Sequence, residues 1–403
     1  MDIDQNQPLT SVHGLPNLER YRSPSRPDLS GRLTNLEPSP LVAEAEHLGQ
    51  ALVPIAEGGT PGKVNRDLVK ALATAGLFHR LFSTEGVTAA DLCQMRQGLA
   101  RVCTEAETAL AVQGLGGTPI ALQASREVKE TWMPVLRSGD AVAAFALTEP
   151  GAGSDAANLA MTATRDGEGF RLSGEKRYIS NAPDADIATV FARTTQGAGA
   201  RGVTAFAIPI DDPAIKPFSL EMISPHPLGG WIFEDLYVEP SQVLGQLDQG
   251  FRVAMQTLDL FRPSVGAFAL GMAEAAFRIA LEHAAQREAF GSPLSEFQGV
   301  SHQLADVRVS IEAAEHLVYS AAATYDTGDR ERLTGRAAMA KLYATESAQK
   351  AVDVAIQILG ARGLESDSTL AHLYKEVRAP RIYEGTSEIQ RNIIAREAFR
   401  GRI

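Results

Sequence analysis

The sequence predicts an α+β fold in which a helical N-terminal domain, a central β-domain and a C-terminal helical bundle follow one another. Apolar residues recur at spacings of three and four before residue 140 and after residue 250, which is the period of an amphipathic helix. Between these stretches the apolar runs are short and separated by turn residues, as in a sheet. Strands and helices do not alternate along the chain, so a doubly wound nucleotide fold is not expected.

Residues 1–40 are predicted to form an extended arm, because they hold six of the 21 prolines and show no sustained apolar period. They have neither the cationic start nor the apolar core of a secretory signal. Acidic residues such as Asp2 and Asp28 also interrupt the pattern of a transit peptide. Only Cys93 and Cys103 are present, too few for a disulfide framework, so a reducing, cytoplasmic location is predicted.

The N-terminal domain is predicted to span residues 41–140 and to consist of several α-helices. Leu48, Leu52 and Ile55 recur at spacings of four and three, and Leu68 and Leu72 begin a second series of the same kind. Side chains at these spacings share one face of a helix. Each series therefore predicts a helix that buries one face.

The central β-domain is predicted for residues 141–250 and the C-terminal bundle for residues 251–403. An apolar run at 141–147 ends in a loop rich in glycine, and later short runs are separated by turn residues. After residue 250 the helical period returns, and one predicted face combines five residues: Val265, Phe268, Met272, Ala275 and Ile279.

Composition and charge exclude several classes of protein. The 403 residues are 44% hydrophobic and 22% charged, which is ordinary for a globular protein, and they suffice for more than one domain. The net charge of −11 opposes the electrostatic footprint of a nucleic-acid-binding protein. No run of 18 uninterrupted apolar residues predicts a membrane span, and scattered histidines predict no metal site.

The most specific motif surrounds Glu384. This carboxylate stands between Tyr383 and Gly385, where the backbone can turn tightly, and Thr386 can cap a final helix that begins near Ser387. The motif predicts a carboxylate at a bend beside a helix N-terminus, with a backbone N–H free to face a ligand. Taken alone, it is more often the pattern of a helix-capping loop with an exposed glutamate.

Two further motifs precede it. The loop 148–155 leaves a predicted strand and is dense in glycine, so its amides can approach a cofactor, although unaided it is also an ordinary tight loop. It lacks the glycine spacing of a dinucleotide fingerprint. Residues 287–294 interrupt two helical patterns, and Arg287 could meet a pyrophosphate, or the segment could simply connect two helices.

In this order and at these separations, the motifs resemble the acyl-CoA dehydrogenase family. The resemblance covers residues 41–403 and is carried by six stretches: ALTEPGAGSD, GEKRYISNAPDAD, DLFRP, REAFGSPLSEFQ, QILGARGLESD and RIYEGTSEIQRNIIARE. It implies a helical N-terminal domain, a central β-domain and a C-terminal four-helix bundle that together enclose FAD. It also implies α,β-dehydrogenation of an acyl-CoA thioester to the trans-2-enoyl-CoA.

Within the resemblance, Glu384 matches the catalytic base that removes the α-proton while FAD accepts the β-hydride. The positions that match FAD contacts are Phe145, Leu147, Thr148, Gly153, Ser154, Tyr178, Ile179, Ser180, Arg287, Phe290, Gln357, Gly360, Gly363, Thr386 and Glu388. The positions that match substrate contacts are Ser154, Asp259, Arg262, Tyr383 and Gly385. The family usually has tryptophan where Tyr178 stands, and Ala361 replaces a glycine of the commoner pair.

The resemblance further implies an electron-transferring flavoprotein as electron acceptor and a homo-oligomer, either a dimer or a tetramer. Phe261 stands where some branched-chain members carry an alternative glutamate, which leaves Glu384 without an evident rival. Two other functions stay open at this point. The acyl group could be carried by an acyl carrier protein, or the chain could be a flavin-binding member without catalytic activity.

Overall fold

The computed structural model describes residues 39–83, 86–182, 184–224 and 226–403. The predicted arm, residues 1–40, lies outside this part of the chain except for its last two residues. The first helix begins at Pro40, where a fixed proline φ suits the first helical turn. The six helices before residue 140 are α1 Pro40–Glu57, α2 Arg66–Thr74, α3 Leu77–Leu81, α4 Ala89–Ala100, α5 Thr104–Gln123 and α6 Arg126–Ser138.

Eight strands follow and form one sheet. They are β1 Ala143–Ala146, β2 Thr162–Asp166, β3 Gly169–Ser180, β4 Ile187–Arg193, β5 Val203–Pro209, β6 Ile215–Ser219, β7 Leu228–Val238 and β8 Val243–Leu244. The order is β6-β7-β3-β2-β4-β5-β8, and β1 pairs with β4 in parallel. All seven residues of β4 are buried, because α5 packs on β1 and β4 on the helical side of the sheet. A strand buried in this way is a continuous apolar run.

The C-terminal part contains a short hairpin and five helices. The hairpin strands are β9 Glu288–Ala289 and β10 Ser292–Pro293, and the helices are α7 Gly250–Gln286, α8 Gln298–Asp326, α9 Arg330–Leu359, α10 Thr369–Glu376 and α11 Ser387–Phe399. Helices α7, α8 and α9 pack on one another, and α11 packs on α9. The predicted α+β order of helices, sheet and helical bundle is confirmed.

Helix α7 is the centre of the bundle and joins it to the N-terminal helices. Its predicted face is buried at Val265, Phe268 and Met272. At Gly271 a Cβ atom would lie 2.4 Å from the carbonyl oxygen of Gln97 on α4, so glycine allows the two helices to cross closely. By length and hydropathy α7 could cross a membrane, but most of its apolar stretch is buried by neighbouring elements, as in a core helix.

Candidate active site

The predicted bend at Glu384 is confirmed. It lies between a short 3-10 helix, Ala379–Arg381, and α11. Glu384 has a φ of 52° and Gly385 a φ of 93°, so two successive residues adopt the left-handed conformation. This conformation costs a glutamate about 1–2 kcal/mol, so the surrounding contacts must hold it. Thr386 caps α11, because its hydroxyl accepts a hydrogen bond from the amide of Ile389 at 3.3 Å.

Three side chains hold the backbone of this turn. The carbonyl oxygen of Gly385 accepts hydrogen bonds from Lys341 Nζ at 2.6 Å and from Gln390 Nε2 at 2.9 Å. The carbonyl oxygen of Glu384 accepts a hydrogen bond from Arg262 Nε at 3.3 Å. Lys341 and Gln390 are fully buried. The turn is therefore fixed from α9, from α11 and from α7 together.

The carboxyl group of Glu384 has one buried oxygen atom, Oε2, that accepts no hydrogen bond from the described residues. Burial raises the pKa of this carboxyl above its ordinary value, and the positive charges of Arg96, Arg262 and Lys341 oppose the rise. A desolvated carboxylate without a hydrogen bond is a stronger base than one in water. This oxygen is thus ready to receive a proton.

A buried ion pair lies within electrostatic range of this carboxyl. Arg96 on α4 donates from Nε to the Glu107 carboxylate on α5, and both side chains are almost fully buried. Arg96 also donates from Nη1 to Ser264 Oγ at 2.7 Å and lies over the ring of Phe268 on α7. Helices α4 and α5 therefore present a buried pair of opposite charges near the Glu384 turn, and α7 contacts the arginine of this pair.

Of the five predicted substrate-contacting residues, three lie at this turn and a fourth lies next to one of them. Tyr383 and Gly385 flank Glu384 along the chain, and Arg262 bonds to its carbonyl oxygen. Asp259 lies one helical turn before Arg262 on α7, and its carboxylate is 3.6 Å from the guanidinium group. The fifth, Ser154, is exposed in the loop after β1.

The loop 148–155 is fastened to β3 by buried charges. Lys176 Nζ lies 2.8 Å from Glu149 Oε1 and donates to the carbonyl oxygen of Leu147 at 3.0 Å. The amide of Arg177 donates to the carbonyl oxygen of Thr148 at 3.0 Å. Burial lowers the pKa of Lys176 to about 8, and the Glu149 carboxylate opposes this effect. The loop and the strand thus form one predicted flavin-facing surface.

Tyr178 stands at an irregularity of β3. The pairing of β3 with β7 shifts between Arg177 and Ile179, and Tyr178 has a φ of 59°. Its side chain is 52% exposed, whereas Ile179 is buried. Added Cβ atoms at Gly151 and Gly153 would meet no atom within 4 Å, so the nearby loop borders open space. A half-exposed aromatic face beside an open glycine loop fits the planar ring of a flavin.

A second group of predicted cofactor residues lies at the other end of α7. Arg287 and Phe290 belong to the hairpin, and the side chain of Phe290 is 99% exposed at a φ of 51°. Burial and the charges of Arg362 and Arg287 lower the pKa of His283, which lies near both. This places the hairpin beside the 3-10 helix that follows α9 and contains the glycines at 360 and 363. Gln357 is exposed in the last turn of α9.

Among the described residues, no hydrogen bond or ion pair joins this second group to the Glu384 turn. Ser180 and Phe145 belong to the sheet, where the Phe145 ring packs at 5.0 Å against that of Phe191. Glu388 is exposed in the first turn of α11. The predicted residues therefore fall into three places: the turn, the loop with β3, and the hairpin with the end of α9.

Sequence reasoning missed Lys341, Gln390 and Arg96, which hold or face the turn. One signal for Lys341 was available in the sequence. Ala337, Ala340 and Ala344 are spaced as one buried face of a helix, and a lysine beside such a face needs a buried partner.

Comparison with known proteins covers all three parts of the chain. Family models match at residues 44–140, 144–235 and 248–399, and they describe the N-terminal, middle and C-terminal domains of acyl-CoA dehydrogenases. The chain belongs to the acyl-CoA dehydrogenase family. It is a flavin-dependent oxidoreductase, and its cofactor is FAD.

Two relatives and one solved structure illustrate the likeness to family members. A 3-(aryl)acrylate reductase of Clostridium sporogenes is 37% identical over 86% of this chain and 94% of its own length. A cyclohexane-1-carbonyl-CoA dehydrogenase of Geobacter metallireducens is 35% identical over 84% of this chain and 90% of its own. The structure of the FAD complex of PigA superposes with a TM-score of 0.84 at 26% identity, over 89% of this chain and 96% of that one.

Proposed function

We propose that this member of the family converts an acyl-CoA thioester to its trans-2-enoyl-CoA, with Glu384 as the catalytic base. The observation that carries the proposal is the buried Oε2 atom of Glu384, which has no hydrogen-bond partner among the described residues. A buried polar atom is normally paired, so an orphaned one points to a ligand that completes it. The α-carbon of a bound thioester is the group that this carboxylate would contact.

The proposed step moves two hydrogens from adjacent carbons. Glu384 takes the α-carbon's hydrogen as a proton, the electron pair of that bond becomes the new carbon–carbon double bond, and the β-carbon loses a hydride. When bound, FAD supplies the acceptor for this hydride. The raised pKa of Glu384 favours the transfer, because a base is most effective when its pKa lies near the working pH.

Removal of the α-proton places negative charge on the thioester oxygen, and a hydrogen-bond donor must stabilise it. The amide of Glu384 makes no hydrogen bond with any described residue. It belongs to a turn that Lys341 and Gln390 already fix, so it needs no rearrangement to donate. One preorganised donor of this kind contributes about 3–4 kcal/mol to the transition state.

Arg262 and Asp259 are the proposed contacts of the CoA moiety, and Ser154 is proposed near the pantetheine chain. Arg262 already donates to the Glu384 carbonyl oxygen, so the same side chain links substrate binding to the position of the base. Gly385 lets Gln390 approach the turn closely, because a Cβ atom at this position would lie 2.7 Å from Gln390 Nε2. The acyl group itself is tested below with straight, branched and ring-bearing thioesters, since two relatives are named for ring-bearing acyl groups.

FAD is proposed to lie along the loop after β1 and the strand β3, with its adenosine side reached by the hairpin of another subunit. Phe290 supports the second part, because it is 99% exposed at the tip of the hairpin, where its ring is available to another chain. Arg287→Ala should reduce both the FAD content and the oligomer mass, measured by absorbance and light scattering. Arg308→Ala, an exposed change on α8, should alter neither, and an unaffected Arg287→Ala would contradict the contact.

The function is tested by titrating the purified holoenzyme with straight, branched and ring-bearing acyl-CoAs under anaerobic conditions while its flavin spectrum is recorded. Loss of the oxidised-flavin band with one acyl-CoA supports the proposal and identifies the acyl class. The same acyl groups on an acyl carrier protein form the second arm. Bleaching only with the acyl carrier protein would show that the carrier protein, and not CoA, carries the acyl group. Bleaching in neither arm would contradict dehydrogenation. An electron-transferring flavoprotein, the proposed acceptor, should then restore the oxidised band.

A further inference from the structure

We propose that Lys341 is a positioning residue for the reaction: its ammonium group fixes the turn through the Gly385 carbonyl oxygen and keeps Glu384 in its carboxylate form. The inference rests on the proposed role of Glu384 as the base. It concerns a buried side chain on α9 that contacts the backbone of the turn.

The position of Lys341 is the first argument. Nζ lies 2.6 Å from the carbonyl oxygen of Gly385, the residue that follows Glu384. The lysine is fully buried on an alanine-rich face of α9. Burying an ammonium group costs free energy unless the group is paired and hydrogen-bonded. Lys341 therefore needs partners at this position that offset its desolvation. The Gly385 carbonyl oxygen supplies a hydrogen bond, and the nearby carboxylates supply opposite charge.

The charges around the pair define what Lys341 can do. Glu384 is faced by three cations, Arg96 from α4, Arg262 from α7 and Lys341 from α9. Arg96 is already neutralised by its ion pair with Glu107. Arg262 lies near the Asp259 carboxylate, which also balances part of its charge. Within the described part of the chain, Lys341, unlike Arg96 and Arg262, therefore has no carboxylate in an adjacent ion pair that balances its charge.

Lys341 in turn interacts with several charged groups. Burial lowers the pKa of Lys341 to about 8, and the positive charge of Arg262 contributes to this lowering. The carboxylates of Glu384, Glu346 and Glu388 oppose this lowering. Glu346 is already paired with Arg381 at 2.9 Å, and Glu388 lies 3.5 Å from Arg391 on the surface of α11. Among these carboxylates, Glu384 has the largest effect on the pKa of the lysine. Below pH 8 the lysine is protonated and favours ionised Glu384.

Gln390 provides a matched comparison, because it donates to the same Gly385 carbonyl oxygen but carries no charge. Three variants separate the hydrogen bond from the charge. Lys341→Met removes both, and Lys341→Gln removes the charge but keeps a donor. Gln390→Met removes only neutral hydrogen bonds, those to the carbonyl oxygens of Glu384 and Gly385. Circular dichroism and the flavin spectrum establish that each holoenzyme is folded and loaded before its kinetics are measured.

The experiment measures the rate of anaerobic flavin reduction by acyl-CoA between pH 5 and pH 8. For Lys341→Met and Lys341→Gln, the midpoint of the acidic limb should rise by about one pH unit, as expected when a neighbouring opposite charge is lost. Below the midpoint, reduction should be about tenfold slower at a given pH. Gln390→Met should keep the wild-type midpoint, although its maximal rate can fall.

An unchanged midpoint in both Lys341 variants would overturn the inference, and so would an equal rise in Gln390→Met, since geometry alone would then explain the effect. If Lys341→Met does not fold, Lys341→Gln decides the question. Glu384→Gln distinguishes this failure from failure of the proposed function. An inactive Glu384→Gln with unshifted Lys341 variants removes only the role of Lys341, whereas an active Glu384→Gln removes the base itself.

Discussion

The ammonium group of Lys176 lies 2.8 Å from the carboxylate of Glu149, and both side chains are buried beneath the loop that follows β1. The pair joins the loop to the strand that carries Tyr178. Glu149 also accepts a hydrogen bond from the amide of Met161 at 3.0 Å, so a single carboxylate gathers three segments of the β-domain. The proposed flavin-facing surface therefore depends on a buried ion pair.

Replacing Lys176 with methionine should destabilise the protein and reduce its FAD content. The change leaves the Glu149 carboxylate buried without its cation, which costs about 3–5 kcal/mol. Urea unfolding measures the loss of stability, and absorbance measures bound FAD. Arg126→Met, which removes an exposed ion pair with Glu130, should unfold at the wild-type urea concentration. A Lys176→Met protein as stable as this control would refute the prediction.

Gly153→Ala should weaken FAD binding without affecting stability. An added Cβ at Gly153 would meet no atom of the protein within 4 Å, so the fold has no reason to respond. Because Gly153 is a proposed cofactor contact, the methyl group should weaken FAD binding by about tenfold, or about 1.4 kcal/mol. Gly151→Ala, in the same loop and equally open, should bind FAD normally. Equal affinities in titrations of the two apoproteins would show that FAD does not approach Gly153.

The His226–Glu376 ion pair predicts a pH-dependent contribution to stability. Nε2 and Oε2 lie 2.6 Å apart. Burial lowers the pKa of His226, but the Glu376 charge and hydrogen bond outweigh it and raise that pKa overall. Burial likewise raises the pKa of Glu376, but His226 outweighs it and lowers that pKa. The histidine contribution is complete below about pH 6.5 and is lost as pH rises through its raised pKa.

The glutamate contribution is present above about pH 4.3 and is lost as pH falls through the lowered pKa of Glu376. His226→Leu should therefore cost most near pH 5.5, about 3 kcal/mol, and less at pH 8.5. Urea unfolding at the two pH values measures this difference. In a Glu376→Gln background the same change should lose its pH dependence. A cost that is equal at both pH values, or larger at pH 8.5, would argue against an ionic pair.

Much of the fold could be predicted from local sequence, because the spacing of apolar residues differs between helices and strands. The spacing of Val265, Phe268 and Met272 predicted a buried face of α7, and residues 141–147 predicted a strand that the structure places at Ala143–Ala146. The Glu384 bend was predictable too, since Gly385 and Thr386 are its immediate neighbours. In each case the residues that carry the pattern lie close together along the chain.

The support of the site could not be predicted in this way. Lys341 meets Gly385 across 44 residues, and Arg96 meets Ser264 across 168 residues. Such contacts depend on how helices cross, and Gly271 shows that a crossing is set by close packing at one position. The parallel pairing of β1 with β4 likewise joins strands that are far apart in the sequence. Local pattern identifies the reacting groups, whereas tertiary packing decides which charges surround them.

The most direct test of Glu384 as the catalytic base measures flavin reduction in the Glu384→Gln variant. The substrate is one that bleaches the flavin of the wild-type enzyme. The amide keeps the size of the side chain but cannot accept the α-proton, so FAD should stay bound while anaerobic reduction slows by about 10³-fold or more. Glu365→Gln, an exposed change before α10, should react at the wild-type rate. Reduction of Glu384→Gln at that same rate would contradict the assignment of Glu384 as the catalytic base.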